Sequence, residues 1–136
     1  MTTQIFVNLP VSNLPASMTF FGQLGFTFNQ QFTDDSAACM VVSDSIYVML
    51  LTHDKFQMFT PNPISDVNTA TEVLLCLSQP SRAAVDELVR KAIAAGGNTY
   101  QQPQDYGFMY GHGFQDLDGH IWELMYMDQQ AMASQQ

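Results

Sequence analysis

The sequence predicts an α+β fold built from two βαβββ modules, and two observations support this prediction. Each half of the 136-residue chain contains an apolar strand-like segment, then one amphipathic helix, then three further strand-like segments. The two leading strand segments begin about half the chain length apart. Similar segments at a fixed spacing indicate a duplicated module.

The first module is predicted over residues 1–52. Alternating apolar residues indicate a strand at 5–11. Asn13 and Pro15 are typical of a helix start, since a short polar side chain caps free N–H groups and proline has a preset φ. Apolar residues at three- and four-residue spacing predict a helix that ends at Gly25. Three more strands are expected at 26–32, 38–42 and 46–51.

The second module is predicted over residues 70–128 with the same plan. A strand is expected at 72–77, and Ser81 caps a helix whose apolar face ends at Gly96. Two weaker strands are expected at 98–102 and 107–115, and a stronger one at 120–127.

Residues 53–69 form the predicted crossover between the modules. Two prolines and little periodicity indicate a loop, and a loop of this length is usually functional. Met58 and Phe59 are expected to be exposed there, so the loop is a candidate lid. The polar segment 129–136 is expected to be a frayed tail.

Charge and composition exclude several functions. The chain carries 13 acidic and 4 basic residues, a net charge of -9. So few cations cannot follow a nucleic-acid backbone or bind an anionic membrane surface. Its apolar runs are far shorter than a membrane span, and no secretory signal is visible. Cys39 and Cys76 lie in apolar strands and are expected to be buried, reduced thiols of a cytoplasmic protein.

Two segments of the chain resemble a known group of proteins. They are the opening VNLPVSNLPASMTFFGQLGF and the closing GFMYGHGFQDLDGHIWELMYMD. Together with the duplicated plan, they resemble the vicinal oxygen chelate superfamily, which includes glyoxalases, bleomycin-resistance proteins and extradiol dioxygenases. The resemblance implies one glyoxalase-like domain over 1–136, in which a curled mixed sheet forms a half-open barrel with helices outside. It also implies a ligand in the cavity and a homodimer.

Metal-binding members of this superfamily hold one divalent ion with four side chains. The resemblance places those positions at Phe6, Leu50, Glu72 and Glu123. Two of them are apolar and cannot bind a metal. No cofactor is therefore assigned, and the two carboxylates would hold Mg²⁺ or Mn²⁺ only weakly. If the protein is an enzyme, Glu72 and Glu123 are its candidate catalytic residues.

Strand alternation extends the candidate site to further residues, because every second side chain faces the same side of a sheet. The candidate ligand-binding residues, with one from the crossover loop, are Phe6, Asn8, Leu50, Phe59, Leu74, Phe108, Tyr110, His112 and Met125. The opposite faces, including Ile5, Trp122 and Leu124, are apolar and are expected to pack under the helices. His120 is expected to serve the turn before it.

Three functions stay open at this point. The first is a lyase or isomerase of the glyoxalase type that acts on a small molecule. The second is metal-free binding or sequestration of an apolar or cationic small molecule, as in bleomycin-resistance proteins. The third is a sensor or scaffold with a vestigial pocket.

Overall fold

The computed structural model describes residues 2–130, and it divides the chain into two compact units, Met1–Asp66 and Val67–Gln136. Each unit contains a four-stranded mixed sheet with one main helix in βαβββ order. The predicted α+β class with two such modules is therefore confirmed. Of the predicted tail, residues 131–136 lie outside the described residues.

The N-terminal unit has the strand order β1-β4-β3-β2. Strands β1 and β4 are parallel, and the other neighbours are antiparallel. The helix α1 begins where expected, because the Asn13 side chain accepts a hydrogen bond of 3.0 Å from the Ala16 N–H. The elements are β1 (Ile5–Val11), α1 (Leu14–Gln23), β2 (Thr27–Asn29), β3 (Ala37–Val41), β4 (Ile46–Thr52) and α2 (His53–Gln57).

The C-terminal unit repeats this topology with the strand order β5-β8-β7-β6. Here β5 and β8 are parallel, and β8 pairs with β7 in antiparallel register. The Ser81 side chain caps α3 by accepting from the Ala84 N–H at 3.0 Å. The elements are β5 (Leu74–Ser78), α3 (Arg82–Ala94), β6 (Gln104–Asp105), β7 (Met109–Gln115) and β8 (Ile121–Met127).

Some predicted element boundaries are wrong. The strand expected at 26–32 ends at Asn29, whose side chain accepts from the Gln31 N–H and starts a 3₁₀ turn. The strand expected at 98–102 is reduced to one bridge between Asn98 and Gln115. The segment expected as a loop from residue 53 begins with the short helix α2, which the Thr52 side chain caps.

Pairing between β1 and β4 corrects the predicted position of Leu50. Parallel partners lie side by side on one face of a sheet. Leu50 pairs with Leu9, and both side chains are fully buried beneath α1. Phe6 and Asn8 belong to the opposite face, so Leu50 does not share a face with them. Ile5 is also wrong as a core residue, because it starts the strand and is 55% exposed.

The core of the C-terminal unit lies between α3 and one face of β7 and β8. Trp122 and Phe114 are cross-strand partners whose rings stack at 6.2 Å, and both are fully buried. Leu124 continues this face toward the strand end. Burial of each such side chain contributes about 1.5–3 kcal/mol, so this face fixes which side of β8 turns away from α3.

One buried carboxylate joins this core to the turn before β8. Asp116 accepts hydrogen bonds of 3.0 Å from the backbone N–H groups of Asp118 and His120 and from the Trp122 indole. Gly119 completes the turn with φ +86°, a conformation that other residues rarely adopt. Burial raises the pKa of Asp116, while His120 and the three N–H donors oppose that shift. The turn chemistry predicted from the Asp-x-Asp-Gly sequence is confirmed.

Among the described residues, no helix is both long and apolar enough to cross a membrane.

Replacing Asp116 by Asn tests the importance of this carboxylate. The amide would turn either its carbonyl away from the backbone donors or its NH₂ toward the Trp122 indole N–H. We expect the free energy of unfolding to fall by about 1–3 kcal/mol, measured by urea denaturation. Asp35→Asn is the control, because Asp35 is exposed. An unchanged urea midpoint for Asp116→Asn would contradict the assignment.

Candidate functional site

A cavity of about 190 Å³ lies on the C-terminal unit. Its wall contains a row of cross-strand partners, in which Glu123 of β8 lies between Cys76 of β5 and Gly113 of β7. Because Glu123 alternates with Trp122 and Leu124, this face of the sheet is the one turned away from α3. The lining residues are Cys76, Tyr100, Gln101, Gln104, Tyr106, Met109, Gly111, His112, Glu123, Leu124 and Met125.

Gly113 makes room for Tyr100 at the wall of the cavity. A Cβ atom at Gly113 would lie 2.4 Å from the Tyr100 hydroxyl and 2.7 Å from the Trp122 carbonyl oxygen. Real Cβ atoms do not approach other atoms this closely. Glycine inside a strand often marks such a close approach. The phenol ring of Tyr100 therefore reaches the sheet only because residue 113 has no side chain.

Two hydrogen bonds on either side of Tyr100 hold it in this position. The Thr99 hydroxyl donates to the Gly113 carbonyl oxygen at 2.9 Å, and the His112 Nε2 lies 2.9 Å from the Gln101 carbonyl oxygen. A carbonyl oxygen only accepts, so that nitrogen carries a proton. Burial raises the pKa of Tyr100, and the nearby Glu123 and Cys76 raise it further. The Tyr100 hydroxyl therefore stays protonated at neutral pH.

Glu123 and Cys76 are neighbours in this row. Partial desolvation by the surrounding atoms raises the pKa of the Cys76 thiol, and the charge of Glu123 adds to that effect. Cys76 was expected to be buried, but it is an exposed thiol because its face of β5 is not covered by a helix. Cys39 is buried as predicted.

The rim of the cavity is held by Arg82, at the start of α3. Its guanidinium donates to the Asp105 carboxylate at 2.8 Å and to the Gly107 carbonyl oxygen at 2.9 Å, and it lies over the Tyr110 ring. The rim residue Tyr106 lies between these two acceptors in the chain. Arg82 thus fixes the turn between β6 and β7 from outside the cavity.

Of the predicted site residues, Glu123, Met125 and His112 line the cavity. Leu74 lies on the same face of β5 and is 57% exposed. Phe108 comes just before β7 and does not line the cavity; its carbonyl oxygen accepts from the Asp128 N–H at 2.8 Å.

Tyr110 lies on the opposite face of the sheet from Glu123. It is the register partner of Tyr126, and its hydroxyl donates to the Asp86 carboxylate of α3 at 2.6 Å. This hydrogen bond, with burial and the charge of Asp86, raises the pKa of Tyr110 to about 12. The predicted shared face of Tyr110 and Glu123 is therefore wrong, because β7 pairs with β8 so that Gly113, and not an aromatic residue, lies beside Glu123.

Glu72 is held away from the cavity wall. The strand predicted from residue 72 begins only at Leu74, since the ladder with β8 starts where Leu74 meets Ile121. Before that point, the Glu72 carboxylate bonds the Nδ1 of His120, which is buried. The backbone of His120 thus forms part of the turn, and its ring bonds the Glu72 carboxylate.

In the N-terminal unit, Phe6 is 51% exposed and its ring stacks on Tyr47 at 4.8 Å. Asn8 is exposed on the same face of β1. Phe59 is 65% exposed and lies under the Lys55 ammonium, 5.7 Å from the ring centroid. Together with the buried Leu50, these are the predicted site residues of this unit.

Tyr100, Met109 and Gln104 are cavity residues that the sequence did not identify as site residues. The available signal was the pair of glycines at 111 and 113 inside a strand, which indicates that another group approaches the backbone. Nothing in the local sequence around Tyr100 indicates which group that is.

Comparisons with known proteins agree with this architecture. Residues 3–43 match the family model described as bleomycin resistance protein-like N-terminal. A hypothetical protein from S. aureus, SA1046, is 28% identical, with a TM-score of 0.78 over 93% of this chain and 94% of that one. A glyoxalase/bleomycin resistance protein/dioxygenase family enzyme from Burkholderia phytofirmans PsJN is 19% identical, with a TM-score of 0.79 over 93% and 99%.

The fosfomycin resistance protein FosX from Listeria monocytogenes is 16% identical, with a TM-score of 0.69 over 96% of this chain and 98% of that one. No curated protein sequence matches the chain. The chain therefore has the fold of solved structures from the glyoxalase/bleomycin resistance protein/dioxygenase group. The resemblance predicted from its sequence is confirmed at this level.

The four positions that the superfamily uses for a metal ion do not fit one in this chain. Phe6 has no donor atom, Leu50 is in the core, and Glu72 is bonded to His120. Glu123 is the one remaining donor of the four. Across residues 2–130, no three His, Cys, Asp or Glu side chains are grouped so that they could hold a metal ion.

The charge of Glu123 is expected to slow the reaction of Cys76 with thiol reagents. Glu123→Gln removes the charge that raises the pKa of Cys76, so more thiolate is present at pH 8. We expect the alkylation rate of Cys76 by iodoacetamide to rise by a factor of about two or more, followed by peptide mass spectrometry. Glu87→Gln, on the exposed side of α3, should leave the rate unchanged. A slower reaction in Glu123→Gln would contradict this coupling.

Replacing Arg82 by Gln is expected to loosen the rim without unfolding the protein. The Arg82–Asp105 pair is largely exposed, so global stability should fall by less than about 1 kcal/mol. Amide exchange at Gly107, whose N–H bonds Asp105, should accelerate roughly three- to tenfold. Arg90→Gln, which breaks the pair with Glu87 on the same helix, is the control. Equal Gly107 exchange in the two variants would rule out this role.

Proposed function

We propose that this protein binds a small, positively charged organic molecule in the cavity of its C-terminal unit, without a metal ion and without converting it. The observation that supports this most is the charge of the wall. Among the lining residues that the structure describes, Glu123 is the one carboxylate, and neither Lys nor Arg occurs. Its surroundings are aromatic rings, thioethers, amides and a thiol.

The lining suits an organic cation in two ways. A carboxylate in a partly buried site attracts a cation more strongly than one in open water. The ring faces of Tyr100 and Tyr106 can also attract a cation, and the flexible thioethers of Met109 and Met125 adapt to different carbon skeletons. The net charge of -9 favours fast encounter with cations over anions.

The second candidate, a lyase or isomerase of the glyoxalase type, is less well supported. That chemistry needed Glu72 and Glu123 to act together. The carboxylate of Glu72 is instead bonded to a buried histidine, so the cavity holds only one of the two carboxylates. Binding without conversion requires only the cavity and the negative charge of its wall.

The proposal includes a homodimer in the cytoplasm. The homodimer follows from the resemblance to the superfamily, and sedimentation velocity would test it. The cytoplasm follows from the exposed thiol of Cys76, because such thiols persist in reducing compartments.

Binding of organic cations can be measured directly by isothermal titration calorimetry with benzylammonium, benzyltrimethylammonium and the anion benzoate. We expect at least one of the two cations to bind and benzoate not to bind. Glu123→Gln should weaken cation binding by roughly tenfold, the effect of a charge-assisted contact. Glu87→Gln removes the same charge outside the cavity and should change the affinity little.

Failure of both cations to bind would overturn the proposed function. Equal weakening by Glu123→Gln and Glu87→Gln would show that only the overall charge matters, and it would overturn the assignment of the cavity. Addition of EDTA should not change the affinity, since the proposal involves no metal ion.

A further inference from the structure

Two polar groups that lie beside Gly113 in the cavity wall have unused hydrogen-bonding capacity. The Glu123 carboxylate and the Tyr100 hydroxyl make no hydrogen bond to any residue in the range 2–130. Several other polar side chains of this unit are paired, among them the buried Asp116 and the edge residue His112. Both unpaired groups face the same cavity, so their hydrogen bonds are available to a ligand.

The two groups are close together and their positions are fixed. Glu123 is on β8, between two paired strands. Its cross-strand partner Gly113 is the residue over which the Tyr100 hydroxyl lies. The bonds of Thr99 and His112 hold the Tyr100 backbone on both sides. A ligand therefore meets an anionic acceptor and a neutral hydroxyl that are already oriented.

From this geometry we infer that the ligand is a protonated amine or amidine, whose N–H groups donate to Glu123 and to the Tyr100 oxygen, and that Tyr100 determines this specificity. The inference rests on the proposed function and narrows its ligand class. A quaternary ammonium has no N–H group and would leave both acceptors without hydrogen bonds. A site whose polar groups are left unpaired discriminates strongly against such a ligand.

The size of the cavity fits the same class. Pockets for drug-sized ligands measure about 300–1,000 Å³, whereas this cavity measures about 190 Å³. It therefore suits a small amine or the charged end of a longer one. Met109 and Met125 provide an apolar wall for the attached carbon atoms.

Calorimetry with a matched set of cations tests the inference. Benzylammonium and benzamidinium carry N–H donors, and benzyltrimethylammonium carries the same ring and charge without them. In the unmodified protein we expect the N–H cations to bind at least about fivefold more tightly. Tyr100→Phe removes one oxygen atom and should weaken the N–H cations roughly three- to tenfold, while leaving the affinity for benzyltrimethylammonium unchanged.

Tyr126→Phe is the control, since Tyr126 lies on the face of β8 opposite Glu123. It should change none of the three affinities. A second variant, Gly113→Ala, tests the close approach of Tyr100 to residue 113. It should reproduce the loss of selectivity expected for Tyr100→Phe. Circular dichroism identifies any variant that fails to fold. If Gly113→Ala does not fold, the result for Tyr100→Phe alone tests the inference.

The outcomes separate this inference from the proposed function. If benzyltrimethylammonium binds as tightly as the N–H cations, the inference is overturned and cation binding stands. The inference is also overturned, and cation binding stands, if Tyr100→Phe weakens the binding of all three cations equally. The hydroxyl would then have no selective role. If no cation binds, the proposed function is overturned and the inference with it.

Discussion

The Asp116 carboxylate is the constraint on which the rest of the C-terminal unit depends. It links the backbone of the turn before β8 to the indole of the buried Trp122. The turn decides where β8 begins, and Trp122 decides which of its faces packs on α3. Glu123 is the next residue, so its direction toward the cavity follows from the position of Trp122. A single buried group thus connects a turn motif, the core and the candidate site.

Much of the fold could be predicted because its signals are local. The caps at Asn13 and Ser81, the helical spacing of apolar residues and the Asp-x-Asp-Gly turn each depend on neighbours a few residues away. Each is present as expected. Boundaries were less accurate where pairing decided them. The sequence around Glu72 is typical of a strand, but the ladder with β8 begins two residues later. The Glu72 carboxylate bonds His120 instead.

The candidate site was harder to predict because it depends on register and on distant approaches. Glu123 was placed by the family resemblance, and Met125 was then found by alternation along the same strand. Alternation within a strand does not say which face of the next strand lies beside it, and for this reason Tyr110 was assigned to the wrong face. Leu50 was placed by the resemblance, and the register with β1 puts it on the other face. Tyr100 could not be identified at all, since its place over Gly113 follows from a segment whose only regular pairing is one bridge and a two-residue strand.

The two glycines of β7 give this cavity an unusual origin. The wall is shaped by atoms that residues 111 and 113 lack, while the core beneath it is formed by the opposite face of the same strands. A methyl group gained at residue 113 would displace both the Tyr100 ring and the backbone of Trp122, so one small substitution there alters this wall. Proteins that share this fold can in this way differ in the wall of this cavity while their overall architecture stays the same.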